Sequence, residues 1–174
     1  RSFKESRSFP SVTSKEHKMV GMSTMQRDWI RLTELIEDSP TITNPREAAE
    51  IVRHLIEKTC GYAFEHMVAV FLNNLNHIVG HALIGIGGFA SAQMIPPLLF
   101  KQFFETPGAT AVILAHNHPS GTTEPSEPDM VFANYLSGLC NALQIQIVDQ
   151  LVVTAGSYSR IPFKEKAVLI LEKK

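Results

Sequence analysis

The run HNHPSGTTEPSEPD (residues 116–129) holds two histidines one residue apart, His116 and His118, followed by Ser126 and Asp129. Imidazole and carboxylate are first-choice zinc ligands, and three protein ligands with one position left open is the layout of a catalytic zinc site rather than a structural one. Such a set serves hydrolysis, because the metal makes water acidic near neutral pH. The chain must then bring the three ligands together. The preceding run TAVILA (110–115) is short, continuous and apolar, and reads as a buried strand, so the histidines stand where that strand ends. Residues i and i+2 of an extended chain point to the same side, and the two rings can converge on one ion. The Pro, Gly and Thr residues of 119–125 reverse the chain and return Asp129 at the start of the next element. Ser126 and Asp129 also form a capping-box pattern, with Pro128 in the first helical turn, so the same helix start holds Asp129 and competes for its oxygens.

The spacing H-x-H, seven residues, S-x-x-D resembles the motif of the JAMM (JAB/MPN) metalloproteases, and the wording HNHPSG resembles their bacterial RadC-like branch, from about Thr43 to about Phe163. The resemblance implies a zinc ion held by His116, His118 and Asp129, an upstream glutamate that activates water, and Ser126 steadying the oxyanion. The glutamate has no fixed spacing. Glu65, in FEHMVAVFLNN (64–74) just before the strand that opens the family's domain, matches best, with Glu57 and Glu124 as alternatives. The implied fold is α/β, a cytidine-deaminase-like three-layer sandwich with a mixed sheet. The implied reaction is hydrolysis of an amide or isopeptide bond in a peptide or protein.

The chain departs from those relatives in two places. Their Pro-Arg-Glu helix start is here PPLLFKQFFET (96–106), with leucines for the charged pair, which points to different substrate contacts. Their Asp-His in a later strand is here Asp149-Gln150. Asp149 remains as a carboxylate that could orient a ligand imidazole, the common arrangement around zinc, or as a solvent-facing strand residue.

Other classes share some of these letters. A deaminase needs a PCxxC pair and an H-x-E, and a helix-borne metalloprotease needs HExxH; both are absent. His116-Asn117-His118 resembles the HNH nucleases, and metal-activated water also attacks phosphodiesters. Phosphate contacts depend on Lys and Arg, however, and none occurs between Phe104 and Leu151; Lys101, Arg160 and Lys164 are the nearest candidates. A silent JAMM-like scaffold that binds partners is the third class. The stretch GIGGFASAQ (85–93) lacks both GxGxxG and the P-loop lysine, so it carries no phosphate-binding signature. His77 and His81 share a strand face by even spacing and form a competing metal pair without a nearby carboxylate.

The remaining elements follow from composition and period. The chain has 174 residues, a net charge of −1 and two distant cysteines, Cys60 and Cys140. These features suit one globular domain without general attraction to nucleic acid or membrane, and reduced thiols in the cytoplasm. No apolar run reaches the roughly 18 residues of a membrane span, and no signal-peptide pattern opens the chain. Residues 1–23 read as a flexible arm, 24–40 as a linker helix and 41–174 as the hydrolase domain. Asn44, Pro45, Glu47 and Gly61 mark a helix start and stop. Segments 67–73 and 77–85 read as a hairpin across Asn73–Asn76, and 145–153 reads as a strand. Residues 127–145 read as a helix with Met130, Val131, Tyr135, Leu139 and Leu143 along one side. A last amphipathic piece near the end would cover a sheet edge or pair with another subunit, which makes a homodimer an expected state.

Overall fold

The structure, a computed structural model, describes residues 40–59, 61–87 and 96–164. The expected arm, the linker helix up to residue 39, Cys60, most of the glycine-rich stretch and the final ten residues lie outside the described residues. In chain order the elements are α1 (Pro45–Thr59), β1 (His66–Leu72), β2 (Ile78–Ile86), α2 (Pro96–Glu105), β3 (Ala111–Asn117), α3 (Glu127–Ala142), β4 (Gln146–Val153) and β5 (Tyr158–Arg160). The strands form one mixed sheet in the order β2-β1-β3-β4-β5, in which β3 and β4 are parallel and the other pairs antiparallel.

Local chemistry accounts for the boundaries. The carboxamide of Asn44 accepts the Glu47 N–H at 3.1 Å, and the Glu47 carboxylate reaches back one residue further than a capping box, to the N–H and hydroxyl of Thr43. Gly61 stops α1 with φ +65°, donating its N–H to the Ile56 carbonyl. In the β1–β2 hairpin the Asn73 side chain accepts the N–H groups of Leu75 and His77, and Asn76 takes φ +59°. The parallel β3–β4 pair needs a long crossover, and α3 supplies it.

Strands β1 and β3 are buried at every position, which requires cover on both faces of the sheet. Val52, Leu55 and Ile56 of α1 pack with Val68, Val70, Ile113 and Leu151 on one face. Leu99 and Phe103 of α2 and Leu136 and Cys140 of α3 pack with Ala69, Phe71, Val112 and Leu114 on the other. The result is the expected three-layer α/β sandwich.

Two expectations are corrected here. The side of α3 that carries Met130, Val131, Tyr135 and Leu143 faces outward, with Val131 65% exposed; Leu139 is half-buried. The buried stripe is Asp129, Ala133, Leu136, Ser137 and Cys140. Asp129 is turned inward by the helix cap, and positions four, seven, eight and eleven residues on must follow it around a 3.6-residue turn. His77 and His81 do not form a pair either. The register steps from Phe71↔Gly80 to Leu72↔Ile78, so a bulge at Val79 breaks the alternation between them.

Candidate metal centre

Strand β3 runs on through His116 and Asn117, and His118 follows immediately. Because β1 pairs with β3 so that Met67 lies opposite His116, the residue two before Met67, Glu65, arrives on the His116 side of the sheet. Asp129 enters from the first turn of α3. Between them the chain reverses at Gly121, whose φ of +79° suits glycine and whose N–H donates to the His118 carbonyl. The structure thus brings Glu65, His116, His118 and Asp129 together, with one ligand atom of each lying within 4.8 Å of the others. Neither Glu57, Glu124 nor any other described residue adds to this group, and it is the one such group among the described residues.

The donor atoms fit a divalent cation. Ligand bonds of about 2.0–2.2 Å at tetrahedral angles place neighbouring donors roughly 3.3–3.6 Å apart. Asp129 Oδ1 lies 3.3 Å from His116 Nε2, and Oδ2 lies 3.3 Å from His118 Nε2. The two Nε2 atoms, 2.9 Å apart, need separate only slightly. His118 Nδ1 lies 3.1 Å from the Thr122 carbonyl, an acceptor that takes the ring's N–H and leaves the Nε2 lone pair facing the centre.

The helix cap leaves Asp129 able to offer an oxygen to a metal. Its Oδ2 accepts the Ser126 N–H at 2.7 Å and the Ser126 hydroxyl at 2.6 Å, while Ser126 Oγ accepts the Asp129 N–H at 3.3 Å. Oδ1 faces His116. Burial alone would raise the Asp129 pKa, but hydrogen bonds from His116 and from the hydroxyl and N–H of Ser126 outweigh it and hold the carboxyl well below its usual range. Burial pushes the His116 pKa down, against the pull of Asp129. An ionised carboxylate beside a neutral imidazole is the protonation state that metal binding needs.

Asp149 does not orient a ligand imidazole, nor does it face solvent. It pairs with Ile113, three positions along β3 from His116, and both its oxygens accept from Arg160 Nε, at 2.9 and 3.0 Å. That ion pair ties β5 to β4. His77 instead has Nε2 3.3 Å from the Thr41 hydroxyl, and His81 is buried in the core. Sequence reasoning missed Asn117. Its Nδ2 donates to the Phe64 carbonyl and its Oδ1 accepts the His66 N–H, both at 2.9 Å. Alternation was the available signal, since a carboxamide between two inward histidines must point to the opposite face of a buried strand and find partners there.

The candidate cations for a phosphate contact are Lys101, Arg160 and Lys164. Of the candidates, Lys101 lies 4.0 Å from Glu105 and Arg160 is held by Asp149. No helix among the described residues is long and apolar enough to cross a membrane.

Comparison with known proteins bears on this geometry. A family model described as RadC-like JAB domain matches residues 42–168. A UPF0758 protein of Shouchella clausii is 33% identical over 136 residues, 78% of this chain and 56% of that protein. A UPF0758 protein of Streptococcus suis is 30% identical over 145 residues, 82% of this chain and 58% of that protein. One from Flavobacterium johnsoniae is 33% identical over 117 residues, 67% of this chain and 49% of that protein. The chain spans about half the length of these curated relatives. With the family model covering nearly all of the sandwich and the whole metal loop, the chain belongs to the RadC-like JAB domain family.

Proposed function

We propose that this domain is a zinc metallopeptidase that hydrolyses an amide or isopeptide bond in a peptide or protein. The observation that carries the reading is the convergence of Glu65, His116, His118 and Asp129 from the entry to β1, the end of β3 and the first turn of α3. In it His116, His118 and Asp129 hold the metal. Zinc in that position supplies Lewis acidity and lowers the pKa of water from 15.7 toward about 7. Glu65 carries the proton, taking it from the attacking water at its carboxylate and delivering it to the leaving nitrogen. Ser126, once its hydroxyl turns from Asp129 Oδ2, donates to the developing oxyanion, a contact worth about 3 kcal/mol of barrier. A reduced, cytoplasmic setting belongs to this reading. It is supported by Cys140, a buried thiol that forms no disulfide among the described residues.

A phosphodiester is the rival substrate, and the absence of Lys and Arg from the sequence between Phe104 and Leu151 weighs against it. The test loads purified protein with zinc and assays peptide-amide, isopeptide and DNA panels beside His116→Ala. Zinc-dependent cleavage of an amide supports the proposal. Cleavage of DNA with salt-sensitive binding replaces it with a nuclease, and zinc binding without any hydrolysis replaces it with a scaffold.

A further inference from the structure

We propose that Asn117 is a positioning residue that sets Glu65 against the metal ligands. Its carboxamide spans both peptide groups of Glu65, donating to the carbonyl of Phe64 and accepting the N–H of His66. One donor and one acceptor in a fixed fork match a peptide carbonyl and the next peptide N–H, a match that no hydroxyl or carboxylate reproduces. The Glu65 carbonyl is held from the other side by the Gly87 N–H at 2.8 Å, so the backbone at Glu65 is gripped between β3 and the end of β2.

The placement explains why the grip acts on the site. Glu65 lies just ahead of β1, where the strand ladder has thinned to the Gly87 bond. Asn117 stands between His116 and His118 on one extended segment, so the rings go to one face and the carboxamide to the other. A single three-residue stretch thereby carries two ligands and sets the distance to the fourth group. Asn117 is 0% exposed, so water cannot take over its two hydrogen bonds.

This inference rests on Glu65 as the proton carrier, and its test reads the position of Glu65 apart from turnover. In the unsubstituted protein the His66 amide should exchange hydrogen as slowly as the β1 amides. In Asn117→Ala the 61–66 amides should exchange at least ~tenfold faster while the rest of β1, from Met67 to Leu72, and β3 stay protected. Metal affinity should escape the roughly 10–100-fold loss that follows removal of a ligand-orienting partner. The visible spectrum of cobalt-loaded Asn117→Ala should match that of cobalt-loaded Glu65→Gln, and on turnover the double variant should be no slower than Glu65→Gln alone. A large loss of metal affinity would place the action of Asn117 on the ligands and overturn the proposal, as would additive loss of turnover. If Asn117→Ala does not fold, exchange in the unsubstituted protein decides, and a His66 amide as labile as a surface amide overturns the clamp. Absence of hydrolysis in the unsubstituted protein counts against the proposed function alone, and exchange and the cobalt spectrum then judge the clamp.

Discussion

Strand β3 and helix α3 contribute facing halves of the candidate metal centre, and they are oriented by different forces. In β3 the period of two and continuous apolar composition agree, so His116 and His118 point where alternation puts them. In α3 the apolar side chains of Val131 and Tyr135 face outward, while Ala133, Leu136, Ser137 and Cys140 face the sheet. The helix is rolled by its N-terminus, where the Ser126–Asp129 box fixes one inward side chain and the rest of the turn follows. The cap and the burial of Leu136 thus agree on one inward face, and Val131 and Tyr135 are left outside it.

The largest expected effect separates ligands from proton carrier at this junction. His116→Ala should abolish stoichiometric metal by elemental analysis, whereas Glu65→Gln should keep the metal and lower turnover by about 10²–10⁴-fold. Full metal content in His116→Ala would remove β3 from the site. Next, the roll of α3 can be weighed by stability. Leu136→Ala should cost about 2–5 kcal/mol in denaturant unfolding, while Val131→Ala should stay within about 0.5 kcal/mol. Equal costs would mean that the outward stripe is buried after all.

Two buried histidines extend the comparison to titration. His116 faces Asp129, but among the described residues neither ring nitrogen of His81 has a hydrogen-bond partner, and burial pushes its pKa to about 4. The unfolded chain therefore binds this proton more readily than the folded one. Stability from His81 is complete above the unfolded value of about 6.5 and falls as pH drops toward 4, by up to about 3 kcal/mol. Denaturant midpoints of metal-free protein over that window should slope, and His81→Leu should flatten the slope; an unchanged slope would assign it elsewhere. The smallest effect is at the cap. Ser126→Ala should lose about 1 kcal/mol of stability, and any loss of turnover beyond that of the melting shift measures its share in oxyanion binding. Turnover equal to that of the unsubstituted protein would leave Ser126 a cap alone.

Much of this was legible in the chain because it rests on short-range rules. Boundaries of β1 and β2 lie within a residue of the expected ones, since the Asn73 side chain and the Asn76 backbone make the turn between them locally. The ligand trio was legible because strand alternation and a helix cap are both local. By itself the sequence determined the three-layer α/β class, the hairpin, and His116, His118 and Asp129 as convergent donors. Tertiary structure alone decided the bulge that parts His77 from His81, the pairing of Asp149 with Arg160 and the grip of Asn117 on the segment of Glu65. Each of those joins residues distant in the chain through register or packing, and a side chain's period names its face but not the partner that waits there.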